Sequence, residues 1–324
     1  MPDTDRPDYA VRGDETILNS CDESTLLSKC AFDLANALGV SKLMVQASEV
    51  QNAEIFDSIR GFQDIIWLTR NASQLSVQVN DNDHVVELPE ATFTRENQLK
   101  VGMLLAVLNE VISNDENIVC LSGIADSGRM DTLFVANARR DFPWFKNRTI
   151  HELQRLIATR EFVSILGVAL RLANEGREGR AIGTSFVLGD PEQLQPYLRQ
   201  LVLNPCEGHP ELSRDIHNPS FFETIREFAS LDGAFVINNA GIVHSAGTYL
   251  NAPSTQRPLT LGLGARHAAA RSITEITSAI ALVVSSSSGT VSVFHEGQLV
   301  LELEKPDARY GKSRRSANRR SSVA

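Results

Sequence analysis

Between Leu231 and Ala270, two short groups of residues have the types and spacing to handle a nucleoside triphosphate. The first is Asp232-Gly233-Ala234, running into the apolar Phe235-Val236-Ile237. The second is Gly262-Leu263-Gly264-Ala265-Arg266-His267, running into a helix-like Ala268-Ala269-Ala270. A carboxylate at one end of a buried strand can hold a hard divalent cation, which takes oxygen ligands. A glycine-rich turn opening a helix offers free N–H groups and the positive end of the helix dipole to an anion. Arg266 and His267 fall in that first turn. A cation there is unfavourable unless an anion offsets it, so a bound phosphate gives a physical reason for both. Gly233 lets a ligand approach the backbone closely. Taken singly, each residue has an ordinary structural explanation: Asp232 as a cap or turn residue, Arg266 as a salt-bridge partner, His267 as a packed core histidine. The run Ser285-Ser286-Ser287-Ser288-Gly289 brings hydroxyls that suit a nucleotide pocket or a solvated turn. His244 reads as structural, and His209 and His217 flank a proline-rich loop without metal-ligand spacing.

The elements that must position these groups follow from periodicity. In the N-terminal part, Leu26, Leu27, Cys30, Ala31, Leu34 and Leu38 recur at helical spacing, predicting one buried face on a helix over Ser24–Leu38 that stops at Gly39. Strands are predicted at Lys42–Gln46, Asp64–Thr69 and His84–Leu88, and helices at Val50–Arg60 and Thr94–Ile112. Apolar runs Ile118–Leu121 and Thr132–Ala136 follow, joined by the loop Ser122–Arg129. Alternating strands and helices argue an α/β layer with a largely parallel sheet. Residues 138–148 lack periodicity and mark the domain junction. Thr149-Ile150-His151-Glu152 has capping-box spacing, and the helix behind it is predicted to bury Leu153, Leu156, Ile157, Phe162, Ile165 and Leu166 and to end near Gly176. Ala181–Leu188 reads as a strand. Ser220-Phe221-Phe222-Glu223 reads as a second capping box, opening a helix to Ser230. Strands after Asp232 and over Gly241–Leu250 can pair around Asn238–Gly241. A helix over Arg266–Ala279 and strands 280–286, 290–295 and 298–303 complete the pattern, with His295–Gln298 as a hairpin turn.

Composition bounds the rest. The 324 residues give room for two domains, each with a core. The formal charge is −9; the last twenty residues carry seven Lys or Arg against one Asp, so their +6 leaves −15 on the remainder. An acidic body argues against a nucleic-acid-binding surface. The Ser- and Arg-rich tail, 305–324, and the arm, 1–20, read as disordered. Cys21, Cys30, Cys120 and Cys206 form no CxxC pair and read as reduced, mostly buried thiols of a cytoplasmic protein. No signal peptide and no run long enough to span a membrane is seen.

In combination the motifs are far more specific. Ser230–Ile237, Ala246–Leu250 and Gly262–Ala270, with Gly183–Asp190 and Leu201–Pro205 upstream, resemble the diadenylate cyclase family, whose nucleotide-binding domain is that of the DNA integrity scanning protein. The resemblance covers residues 149–304. Residues 21–140 resemble more weakly, through Ser122-Gly123 and Arg129–Thr132, a pyruvate-kinase-C-terminal-like domain. The implied fold is an N-terminal α/β layer domain followed by a cyclase domain with a central mixed sheet flanked by helices. The implied reaction joins two ATP into cyclic di-AMP and two pyrophosphates across a face-to-face, self-associated pair of subunits. The resemblance assigns Asp232 to Mg²⁺ or Mn²⁺ and to activation of the 3′-hydroxyl. It places Gly233 and Ala234 in the pocket, Tyr249 and Leu250 at the adenine, and Gly264, Ala265, Arg266 and His267 at the phosphates. It adds Ser285 and Ser287 to the substrate site. Two departures stand out: Ala268 where many members have Arg, and Ser286 and Ser287 where many have Glu. The serines favour an alternative, a nucleotide-binding sensor or scaffold with weak or no turnover; Asp232, Arg266 and His267 favour the enzyme.

Overall fold

The computed structural model describes residues 23–47, 53–72, 79–113, 115–123, 129–141, 159–177, 181–253 and 264–305. The arm, most of the 122–129 loop, the Thr149–Glu152 capping box, Leu153, Leu156, Ile157, Gly262, Leu263 and the tail beyond Lys305 lie outside the described residues. Among the described residues no helix is long and apolar enough to cross a membrane.

Uninterrupted apolar runs such as Leu43-Met44-Val45, Ile65-Ile66-Trp67-Leu68 and Ile118-Val119-Cys120-Leu121 suit strands covered on both faces. The first half of the chain builds α1 (Glu23–Leu38), β1 (Lys42–Gln46), α2 (Ala53–Ile59), β2 (Asp64–Thr69), β3 (His84–Glu87), α3 (Arg95–Leu108), β4 (Asn117–Ser122) and β5 (Thr132–Asn137), then a single turn, α4 (Ala138–Asp141). The sheet order is β3-β2-β1-β4-β5; β3, β2, β1 and β4 run parallel and β5 antiparallel. Alternate strand residues face α1 and α2 on one side and α3 on the other. Thr94 caps α3 by accepting a hydrogen bond from Asn97 N.

α1 turns inward a different face from the one its leucines predict. Ser24, Thr25, Ser28, Ala31 and Ala35 are buried, whereas Leu26 and Leu38 are 47% and 52% exposed and Cys30 is exposed. Small side chains let α1 lie close on its neighbours: Ser28 and Ser58 of α2 share a hydrogen bond, and Ser24 Oγ accepts from Met130 N. Cys120 and Cys206 are buried as expected.

The second half builds α5 (Arg160–Glu175), β6 (Thr184–Leu188), α6 (Pro191–Leu194), β7 (Leu198–Gln200), α7 (Phe221–Phe228), β8 (Ala234–Ile237), β9 (Val243–Leu250), α8 (Ala265–Ile276), β10 (Ile280–Val284), β11 (Val291–His295) and β12 (Gln298–Leu303). Thr159 caps α5 through Phe162 N, and Gly176, at φ 60°, ends it. α7 is not closed by the predicted capping box: Ser220 makes no side-chain cap, and its own N–H is taken by Asn218 Oδ1. The sheet order is β12-β11-β10-β6-β8-β9-β7. β6 and β8 are parallel, and the other neighbouring pairs are antiparallel. Positive φ at Glu296 and Gly297 makes the β11–β12 turn the type that right-twisted strands favour.

The two sheets share one core. An apolar cluster runs from the α3 side of the first sheet through Phe162, Ile165 and Leu166 of α5 to Phe186, Phe235 and Leu282 of the second. Asn97 Nδ2 donates to Glu304 O (2.6 Å) and Asn174 Nδ2 to Thr92 O (3.1 Å), tying the halves at two further points. α8 covers the opposite face of the second sheet.

Candidate functional site

β6 and β8 begin, and β9 and β10 end, at the same edge of the second sheet. The register aligns Val283, Ser185, Ala234 and Thr248 in one row across four strands. That row lines a cavity of about 450 Å³. The cavity is completed by Asp232 and Gly233 ahead of β8, Tyr249 and Leu250 at the end of β9, Gly264, Ala265, Arg266 and His267 at the start of α8, and Ser285, Ser286 and Ser287 after β10. Every residue that the resemblance assigns to the substrate or the metal therefore converges on one pocket. Sequence reasoning missed Ser185, Leu201, Thr248, Ala269, Val283 and Val284, which also line it. Strand register brings three of these in, and a single chain does not display register.

Gly233 has a structural job besides the one its sequence context suggests. Its φ is 111°, and an added Cβ would lie 2.6 Å from Gly247 C and Thr248 N. The close approach that it permits includes that of β9's own backbone. Behind this contact, Thr248 Oγ1 shares a 2.7 Å hydrogen bond with Ser245 Oγ and donates to Gln200 Oε1 (3.1 Å), while Gln200 Nε2 donates to Ala246 O (2.6 Å). This buried network fixes the end of β9, and with it Tyr249 and Leu250.

The charges sit at the mouth. Asp232's side chain is 91% exposed, and its Oδ1 is 3.4 Å from Arg266 Nη2. The first-turn N–H groups of a helix lack intrahelical acceptors, and no side chain caps them at Gly264. Among the described residues an added Cβ at Gly264 would meet nothing within 4 Å. His267 packs edge-on against Phe294, with ring centroids 6.0 Å apart. Burial pushes its imidazole below the usual histidine range, with the Glu302 carboxylate pulling the other way. The serine turn is held against the sheet: an added Cβ at Gly183 would be 2.8 Å from Ser286 Cβ, and Ser285 and Ser287 hydroxyls are 3.1 Å apart.

Among the described residues no group of three His, Cys, Asp or Glu side chains is placed to hold a metal. Asp232 is the one carboxylate among the described residues lining the pocket. One carboxylate with hydroxyl oxygens nearby suits a magnesium-like ion that draws its remaining ligands from phosphates and water, and does not suit a protein-only zinc cage.

Comparison with known proteins agrees with this geometry. Residues 171–299 match the family described as "DisA bacterial checkpoint controller nucleotide-binding". Residues 23–139 match the family described as "Probable sensor domain DacZ_P". That match takes the place of the pyruvate-kinase-C-terminal-like resemblance. A protein of Methanocaldococcus jannaschii named diadenylate cyclase is 36% identical over 207 residues, 63% of this chain and 65% of the relative. A diadenylate cyclase of Haloferax volcanii is 37% identical over 145 residues, 44% of this chain and 52% of the relative. The match thus spans less than two thirds of either relative's own length. A crystal structure of DacA from Staphylococcus aureus is 27% identical, covers 42% of this chain and 81% of that one, and has a TM-score of 0.31. The half of the chain that holds the pocket is, over residues 171–299, similar to the DisA-type nucleotide-binding family.

Proposed function

We propose that this chain is a diadenylate cyclase, converting two ATP into cyclic di-AMP and two pyrophosphates. The observation that carries the reading is the convergence of Asp232, Arg266, His267 and the uncapped start of α8 on one pocket. Phosphoryl transfer of this kind asks the protein for in-line positioning and charge neutralisation more than for covalent help. Arg266 and the first-turn N–H groups of α8 bind the phosphates. Tyr249, Leu250 and Leu201 shelter the base. His267 and the Ser285–Ser287 turn position the triphosphate from the other side. Asp232 would hold Mg²⁺ or Mn²⁺, and its carboxylate accepts the hydrogen bond of the 3′-hydroxyl. A divalent ion at that carboxylate supplies charge neutralisation at the phosphates and makes the 3′-hydroxyl more acidic. In each half-reaction the 3′-oxygen forms a bond to the α-phosphorus of the other ATP, the bond to pyrophosphate breaks, and the hydroxyl proton passes to the Asp232 carboxylate that accepts its hydrogen bond.

One set of pocket residues serves one ATP, so ring closure calls for two copies face to face. Leu201, Val202 and Leu203 support such a pair: they are 48%, 45% and 96% exposed, and Leu201 is itself a pocket residue. Exposed apolar residues at the rim of a site suit a covering partner. The second reading, a nucleotide-binding module without turnover, is favoured by the serines at 286 and 287, which leave Asp232 without a neighbouring carboxylate. Incubation with ATP and Mg²⁺ or Mn²⁺, with products separated by chromatography, decides between them. Cyclic di-AMP with pyrophosphate supports the enzyme; bound, unchanged ATP supports the second reading.

A further inference from the structure

A second cavity, of about 610 Å³, lies between the two halves of the molecule. Arg70, Glu87 and Glu90 contribute from the first half, at the carboxyl ends of β2 and β3. That is the edge at which parallel α/β sheets accept ligands. Arg160 and Arg171 of α5 and His217 form the facing wall. The halves pack closely at Gly167, where an added Cβ would lie 3.4 Å from Pro89 Cβ.

The facing wall is cationic in a chain of net charge −9. Arg160 stands in the first turn of α5, where a cation opposes the helix dipole unless an anion is beside it. It makes no hydrogen bond or ion pair among the described residues, although its charge acts on Asp215. Burial works to raise Asp215's carboxyl, but the His217 N–H and ring and Arg160 outweigh it and hold the carboxyl below its usual range. His217 Nδ1 is 2.8 Å from Asp215 Oδ1, and its ring edge is wedged against Gly241. Its Nε2 is buried with no partner among the described residues.

We propose that this cleft binds a phosphate-bearing small molecule. Its phosphate is held by Arg160 and Arg171, and hydroxyls of its body are available to Glu87 and Glu90. Guanidinium groups match phosphate oxygens in geometry as well as charge. The site is separate from the nucleotide pocket and does not rest on the cyclase reading. α5 packs on β10, whose end lines that pocket, so an occupant of the cleft touches an element that the pocket also uses.

The test is calorimetric titration of the full chain with inorganic phosphate and, separately, with glycerol phosphate. Arg160→Ala and Arg70→Ala probe the cleft, and Arg266→Ala probes the nucleotide pocket; circular dichroism checks that each is folded. The expected result is saturable binding that weakens at least tenfold in Arg160→Ala and persists in Arg266→Ala. Tighter binding of glycerol phosphate than of inorganic phosphate marks an organic phosphate as the occupant, and the reverse marks the free ion; both support the site. Binding that survives Arg160→Ala and Arg70→Ala but is lost in Arg266→Ala overturns the proposal. So does the absence of binding for both probes at millimolar concentration.

Discussion

At the residue scale the account turns on three side-chain positions. Asp232 is exposed and its pairing with Arg266 is loose, so Asp232→Asn should leave the melting temperature near that of the wild type. Its turnover should fall by several factors of ten, each worth about 1.4 kcal/mol of barrier. A folded variant with near-native rate would remove Asp232 from the chemistry. Gly233 is required by the geometry of β9. Gly233→Ala meets β9 backbone at 2.6 Å from a positive φ and should destabilise the fold by roughly 1–3 kcal/mol, read as a lowered midpoint in urea. His267 gives a pH signature in the unliganded protein. Burial depresses its folded-state value, so the unfolded chain takes up the proton first. The stability tied to the neutral ring is present above the unfolded value of about 6.5 and is lost as pH falls through it. Melting temperature followed against pH should therefore drop on the acid side in wild type, and drop less in His267→Gln. These three positions were all legible as chemistry from type and spacing. The reason for Gly233 was not, because the strand it touches is fourteen residues further on.

At the element scale, periodicity placed most strands to within a residue or two, since buried runs such as Ile65–Leu68 and Ile280–Val284 leave little alternative. It failed where burial follows size rather than hydropathy. α1 buries Ser24, Ser28 and Ala35 and leaves Leu26 outside, because close packing on α2 selects small side chains. β7 was missed altogether: Leu198-Arg199-Gln200 has no strand pattern of its own, and its pairing with β9 defines it. That pairing is what aims Tyr249 and Leu250, and its polar core is the Gln200–Thr248–Ser245 network. Thr248→Val should strand the buried Ser245 hydroxyl and cost about 1–3 kcal/mol, with a larger relative loss in nucleotide affinity than in secondary structure. Equal affinity in wild type and Thr248→Val, by equilibrium titration with ATP, would separate this network from the pocket.

At the scale of the whole molecule, two mixed sheets share a core, and the pocket opens at one edge of the second. The order of the strands, the shared core and the cleft between the halves are long-range properties that no local motif encodes. The central claim also lives at this scale: two copies of one pocket, facing each other, close the ring. Activity measured on mixtures of wild type with Asp232→Asn at fixed total concentration, after subunit exchange, tests it most directly. Each bond draws on both subunits and a ring needs two bonds, so mixed pairs should release no cyclic product. Cyclic di-AMP formation should then fall as the square of the wild-type fraction, to about a quarter at equal mixing. A fall in simple proportion, to about a half, would mean that each chain works alone and would contradict the account.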